Sequence, residues 1–226
     1  MGEISVKTGN NARNGGKNSL NRLIRCVCGK KIGPDPRNFN QRVSLGRNDL
    51  LIRTFPRQQA EIGINSVTLQ TSNGSNAQVN TAVLEAIKNA DLVAFGPGSF
   101  YTSIMPHLQV KGVIAAIAKA GCPVALIANI LECRESHGLG LQDVANRFIQ
   151  QWHNADASIA LPELMVLGNQ RFLSIEKYVG EFAYLSDEIN ESTRYTCVLD
   201  EFEDVWVRGK HDGEILANRL LSLVEN

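Results

Sequence analysis

Residues 91–103, Asp-Leu-Val-Ala-Phe-Gly-Pro-Gly-Ser-Phe-Tyr-Thr-Ser, constrain the fold of this chain more than any other stretch. Residues 92–95 form an apolar run of the length of a buried strand. The run stops at Gly96-Pro97-Gly98-Ser99. Glycine lets backbone approach a ligand closely, while proline stiffens the turn and removes one donor. Hydroxyls follow at Ser99, Tyr101, Thr102 and Ser103, and a helical pattern begins there. A strand, a tight turn and a hydroxyl-lined helix start can present N–H groups to an anion. This predicts a phosphate-bearing ligand at the carboxyl end of a parallel strand. A tight turn with no ligand uses the same residue types. Spacing alone therefore leaves both readings open.

The flanking pattern sets the fold class. Residues 66–71 alternate as a strand does, and residues 81–89 carry a helical stripe of Val83, Leu84 and Ile87. A second helix is predicted over 110–119, with Val113, Ile114 and Ile117 on one face, ended by Gly121-Cys122-Pro123. Residues 124–128 are a continuous apolar strand with Asn129 at its end. A loop leads to a helix expected to be capped by Asp143, with Val144, Phe148 and Ile149 inward. Apolar strands alternating with helices predict an α/β, doubly wound (Rossmann-like), mostly parallel sheet covered on both faces. Right-handed connections would set Gly96 and Asn129 at neighbouring strand ends on one rim. Beyond, strands are expected at 164–168 and 205–208. A last helix is expected at 215–224, with Leu216, Leu220 and Leu221 inward. Residues 178–184 are ambiguous, and Trp152 and Trp206 read as core or interface residues.

Residues 1–59 differ in character from residues 60–226, which carry the α/β pattern. The first part is rich in Asn, Gly and Lys and reads as a basic leader, partly disordered or degraded, with one strand near 24–27. Residues 1–50 hold ten Lys/Arg against three Asp/Glu, although the whole chain is neutral. Such a block can be a nucleic-acid arm. Only Phe39 offers an aromatic ring there for base stacking, which weighs against nucleic acid. No apolar run approaches the roughly 18 residues of a membrane span, and the start lacks the basic and apolar segments of a signal peptide. Five cysteines, irregularly spaced, argue against a disulfide framework and for a reducing cytoplasm. Cys26-Val-Cys28 has the wrong spacing for a zinc site.

Residues 90–106, Ala-Asp-Leu-Val-Ala-Phe-Gly-Pro-Gly-Ser-Phe-Tyr-Thr-Ser-Ile-Met-Pro, resemble the central motif of the gluconeogenesis-factor proteins, which share a superfamily with the 2-phospho-L-lactate transferases. The resemblance continues through residues 110–117 and Asn129-Ile130-Leu131. It includes Glu135-Ser136-His137-Gly138, where the family usually shows Glu-Thr-Asp-Gly. Asp143, Arg208, His211-Asp212 and Leu216-Ala217 extend it, over roughly residues 60–226 in all. The family also opens with a Gly-rich strand–turn–helix followed by an Asp-rich segment. Residues 1–59 hold only Asp35 and Asp49 and no Gly-x-Gly-x-x-Gly. The expectation is a carboxyl-terminal portion of a family member, truncated or with a degraded start.

The resemblance implies a ligand site at Gly96, Gly98, Ser99, Tyr101, Thr102, Ser103, Asn129 and Glu135. The N–H groups of Gly98 and Ser99 would bind the anion, and the hydroxyls of Ser99, Thr102 and Ser103 would add donors. Asn129 either bonds the ligand or caps its own loop. Glu135 either holds a sugar hydroxyl, coordinates a metal, or is a solvated carboxylate. No catalytic residue or metal ligand is assigned. His137 stands where the family places an acidic group, and an imidazole is a weak ligand for hard Mg²⁺. Cys133 would need a base and an electropositive setting to act as a nucleophile. The acidic run 200–204 matches no calcium loop. The function implied is a regulatory protein that binds a nucleotide, nucleotide-sugar or other phosphorylated small molecule and affects carbon or cell-envelope metabolism. The alternatives are a 2-phospho-L-lactate transferase-like phosphotransferase, for which Mg²⁺ would be the cofactor, and an inactive truncated member. A homodimer is also implied.

Overall fold

Two sheets organise the chain in the computed structural model, which describes residues 2–4, 42–45, 48–56, 64–71, 74–170 and 178–224. The first sheet is antiparallel and consists of β1 (Gly2–Ile4), β2 (Arg42–Leu45), β3 (Asn48–Pro56) and β4 (Ile64–Thr71). β3 is its spine. One edge pairs with β4, from Leu50 opposite Thr71 to Pro56 opposite Ile64, and the other pairs with β1 and β2 in turn. β3 and β4 thus lie on either side of residue 60. The alternation read at 66–71 is observed in β4, where Val67 and Leu69 are buried and Ser66 is exposed. The strand expected at 24–27 lies outside the described residues.

The outer edge of β4 meets no strand among the described residues. Its backbone is taken up by other groups. Gln109 Nε2 donates to Val67 C=O at 2.7 Å, and Gln109 Oε1 accepts Leu69 N–H at 2.7 Å. Ile64 N–H donates to Glu135 C=O at 2.9 Å, and Thr71 N–H to Ser75 C=O at 3.3 Å.

The second sheet is the parallel one expected. Helix α1 (Thr81–Lys88) leads to β5 (Val93–Phe95). A π-helical turn, Phe100–Ile104, and the short α2 (Met105–Leu108) precede α3 (Val113–Ala120) and β6 (Val124–Ile127). Next come α4 (Leu141–Ala155), β7 (Leu164–Asn169), the hairpin β8 (Tyr178–Val179) and β9 (Phe182–Ala183), β10 (Thr196–Asp200) and α5 (Gly213–Ser222). Strand order is β10-β7-β6-β5, with every pair parallel. β6 is buried along its whole length, because each face of the sheet is covered. On one side Val124, Leu126, Leu164 and Val166 share a core with Ile117, Phe148 and Trp152. On the other, Ala125, Ile127, Met165 and Leu167 pack with Leu216 of α5. Trp152 is fully buried, and its indole N–H donates to Ile159 C=O at 3.0 Å.

The structure corrects four local expectations. α4 begins at Leu141, so Asp143 lies inside its first turn rather than at its cap, and accepts Gly140 N–H at 3.0 Å. The helix starts earlier because buried Leu141 already belongs to the apolar face. Residues 205–208 form an exposed turn, since Asp204 Oδ1 accepts Trp206 N–H at 2.7 Å and Val207 N–H at 3.1 Å. Trp206, 90% exposed, belongs to no core among the described residues, and the fourth parallel strand is instead Thr196–Asp200. Leu221 points outward, 62% exposed, while Leu216 and Leu220 pack inward. Among the described residues no helix is long and apolar enough to cross a membrane.

Candidate functional site

Parallel strands bring the ends of β5 and β6 to one rim. Gly96 follows β5 with φ +100°, a region that disfavours side chains. A Cβ there would stand 2.6 Å from Ile127 C=O, so Gly96 is fixed by its contact with β6. A cis peptide joins it to Pro97. Next, Gly98 meets the carboxamide of Asn129. Its N–H donates to Asn129 Oδ1 at 3.1 Å, and its C=O accepts from Asn129 Nδ2 at 2.9 Å.

Farther along the turn, Ser99 C=O accepts Ser103 N–H at 2.8 Å and Ile104 N–H at 3.3 Å, while the Ser99 hydroxyl makes no capping bond. Tyr101 is 1% exposed and turned into the protein, where its hydroxyl accepts from Arg147 Nη1 at 2.7 Å. Thr102 is gripped by Glu135: its N–H donates to Oε2 at 3.2 Å and its hydroxyl to Oε1 at 2.7 Å. Burial pushes the Glu135 carboxyl above the ordinary carboxylate range, opposed by the Thr102 bonds and the Tyr101 backbone.

Two consecutive donors stand between these grips. Among the described residues, no acceptor takes the N–H of Ser99 or of Phe100, although the Phe100 residue is only 3% exposed. Buried N–H groups are nearly always paired, so the Phe100 donor calls for a ligand or water, and the half-buried Ser99 donor stands beside it. The crevice beneath, lined by Gly98, Phe100, Ala128, Asn129 and Ser136 among others, encloses about 10 Å³. That is room for about one water. The bulk of a nucleotide would lie over the rim rather than in this crevice.

Of the residues singled out by sequence, the fold brings Gly96, Gly98, Ser99, Thr102, Asn129 and Glu135 together around one turn. Tyr101 faces inward, and Ser103 is tied back to Ser99. The Phe100 N–H escaped notice because a backbone donor leaves no mark on residue type.

A second cluster lies on the same rim. Asn169 Oδ1, at the end of β7, accepts Phe202 N–H at 2.8 Å and Glu203 N–H at 2.9 Å. Glu203 Oε1 then accepts the Tyr184 hydroxyl at 2.7 Å, Gly209 N–H at 2.7 Å and Arg208 Nε at 3.3 Å. Burial pushes Glu203 up, but these donors outweigh it and hold its carboxyl below the ordinary range. Arg208 also donates to Tyr184 Oη from Nε at 3.1 Å and Nη2 at 2.5 Å. His211 Nε2 lies 3.1 Å from Ala128 C=O. Sequence reasoning missed Tyr184 and Glu203, which are 19 residues apart and share no motif.

His137 does not approach the turn through any of these bonds; its Nδ1 lies 3.0 Å from Glu132 Oε2. Cys133 Sγ lies 3.2 Å from Ser136 Oγ. Among the described residues, no three of His, Cys, Asp and Glu are grouped so as to hold a metal.

The family model described as "2-phospho-L-lactate transferase CofD" matches residues 47–192, more than half of the chain. The chain belongs to the CofD family. This CofD-family chain is 36% identical over 93 residues to a protein of Deinococcus radiodurans named "Putative gluconeogenesis factor". That alignment covers 41% of this chain and 19% of the relative. A Mycobacterium tuberculosis protein of the same name is 33% identical over 109 residues, covering 48% of this chain and 28% of the relative. The chain thus spans less than a third of the curated relatives it matches. A solved UPF0052-family structure from Bacillus halodurans aligns with a TM-score of 0.61 at 19% identity, covering 76% of this chain and 58% of that one. This likeness shows the shared fold.

Proposed function

We propose that this CofD-family chain binds a phosphate of a nucleotide or nucleotide-sugar at the turn after β5. It acts in the cytoplasm as a regulator of the gluconeogenesis-factor kind, affecting carbon or cell-envelope metabolism. The observation that carries this reading is the pair of N–H donors at Ser99 and Phe100, left without an acceptor among the described residues between two grips on the same turn. Adjacent backbone donors at the carboxyl rim of a parallel sheet suit a phosphate oxygen. Family membership supports a phosphate-bearing ligand, because the matching model is named for a phospholactate transferase. The name of the relatives, "Putative gluconeogenesis factor", supports a part in carbon metabolism. Asn129 and Glu135 are engaged with the turn itself, which favours binding over acid–base chemistry.

A phosphotransferase is the second reading, favoured by the family model's own description. It requires neutralisation of charge on the transferring group. Thermal shifts with UDP-sugars, GDP and orthophosphate, each with and without Mg²⁺, separate the two. A UDP-sugar at a hundred times its Kd should stabilise the regulator by about 2.7 kcal/mol without Mg²⁺. A GDP response that needs Mg²⁺ supports the transferase. No shift with any of them overturns both. Sedimentation at micromolar concentration tests the homodimer.

A further inference from the structure

We propose that Glu135 is a built-in competitor for the anionic group of the ligand, so that the turn after β5 is held partly shut by a carboxylate of its own chain. This rests on the phosphate-binding reading above and concerns how that site is regulated. The Glu135 carboxyl occupies donors of the turn itself. Oε2 receives Thr102 N–H at 3.2 Å, and Oε1 receives the Thr102 hydroxyl at 2.7 Å. Those are two of the donors that the turn would otherwise offer to a phosphate.

The carboxylate is held in that position from both sides of its backbone. Glu135 C=O accepts Ile64 N–H at 2.9 Å, which fixes the residue against β4. Its neighbour Ser136 is buried, and the Ser136 hydroxyl accepts Cys133 N–H at 3.2 Å. The backbone is pinned, so only the side chain can yield. Thr102 follows Ser99 and Phe100 within one helical turn. A phosphate on the Ser99 and Phe100 donors would therefore share one helical turn with a like charge in a partly buried setting, where screening by water is weak. Asn129 completes the arrangement on the other side. It fills the Gly98 N–H with a neutral oxygen and so adds no repulsion. The turn thus carries one charged occupant and one neutral one, and only the charged one opposes an anion.

Glu135→Gln keeps the shape of the side chain and an acceptor for Thr102 N–H but removes the charge. The experiment is calorimetric titration of UDP and, separately, of orthophosphate into the full chain and into this variant. The expected result is that both probes bind the variant about tenfold or more tightly than the unaltered chain. UDP binding that is unchanged or weaker in Glu135→Gln overturns this inference and leaves the phosphate-binding reading standing. Absence of binding by either probe to either protein overturns that reading and this inference with it. Should circular dichroism show that Glu135→Gln does not fold, Glu135→Ala carries the test. It removes the competing carboxyl and leaves both Thr102 donors in place, and is expected to tighten UDP binding about tenfold or more. Unchanged or weaker UDP binding by Glu135→Ala overturns the inference.

Discussion

Asn129 holds Gly98 by both ends of its carboxamide, accepting the glycine N–H at 3.1 Å and donating to the glycine C=O at 2.9 Å. One side chain from the end of β6 therefore sets the path of the turn after β5, across 31 residues of sequence. Asn129→Ala removes both bonds and should cost about 1–3 kcal/mol. Asn129→Asp should be worse at neutral pH than Asn129→Ala, because a carboxylate would face the Gly98 C=O with no proton to donate. Urea unfolding of the three proteins gives the order, and an Asp variant as stable as the parent contradicts it.

Gly96 is the second test of the turn. Its φ of +100° and the 2.6 Å approach to Ile127 C=O leave no room for a methyl group against rigid backbone. Gly96→Ala should destabilise by roughly 2–4 kcal/mol. Since the obstruction is a β6 carbonyl, the loss should appear as lower protection of the β5 and β6 amides in hydrogen exchange. Loss confined to loop amides counts against the packing role.

The stability contributed by His107 and His211 should fall as pH drops from 7.5 to 5.5. Burial lowers the His107 pKa, and it also lowers that of His211, where the bond to Ala128 C=O opposes the shift. The unfolded chain then takes up protons first, near the ordinary value of 6.5. Stability present above that value is lost as pH falls through the folded values. Glu135 has the opposite sign: its carboxyl is raised, so its contribution is present below 4.5 and lost as pH rises through its folded value. The histidine part is read by difference: between pH 7.5 and 5.5 the parent should lose stability relative to His107→Leu in urea unfolding, and a parent that loses no ground to this variant refutes the assignment.

The two tryptophans should report from opposite environments. Trp152 is fully buried and bonded to Ile159 C=O, whereas Trp206 stands 90% exposed on the turn after Asp204. Iodide should quench one part of the native fluorescence and spare the other. Trp206→Phe should delete the quenchable, red-shifted part with a stability change within about 0.5 kcal/mol. Trp152→Ala should cost about 3–5 kcal/mol.

Much of the parallel sheet was legible because its strands are continuous apolar runs. Residues 124–128 can hardly be anything but a strand buried on both faces, and β6 is that strand. β10 was not read, since Thr-Cys-Val-Leu-Asp has only three apolar residues and gains its place by pairing with β7. Val205-Trp206-Val207 looked more strand-like than β10 did. The Asp204 carboxylate, by taking two successive N–H groups, makes a turn there instead. At the rim, Asn129 and Glu135 were visible as polar residues in suggestive places. Their partners Gly98 and Thr102 lie 31 and 33 residues away, so what each holds depends on the closed fold.

The amide of Gln109 on Val67 and Leu69 does what a neighbouring strand would otherwise do. With Glu135 and Ser75 taking the amides at the two ends, the flank of β4 offers few open ladder positions to a second polypeptide. Intermolecular β-pairing along that flank would first have to part a side-chain lock. Replacing this single glutamine would thus expose a template for aggregation as well as loosen a helix.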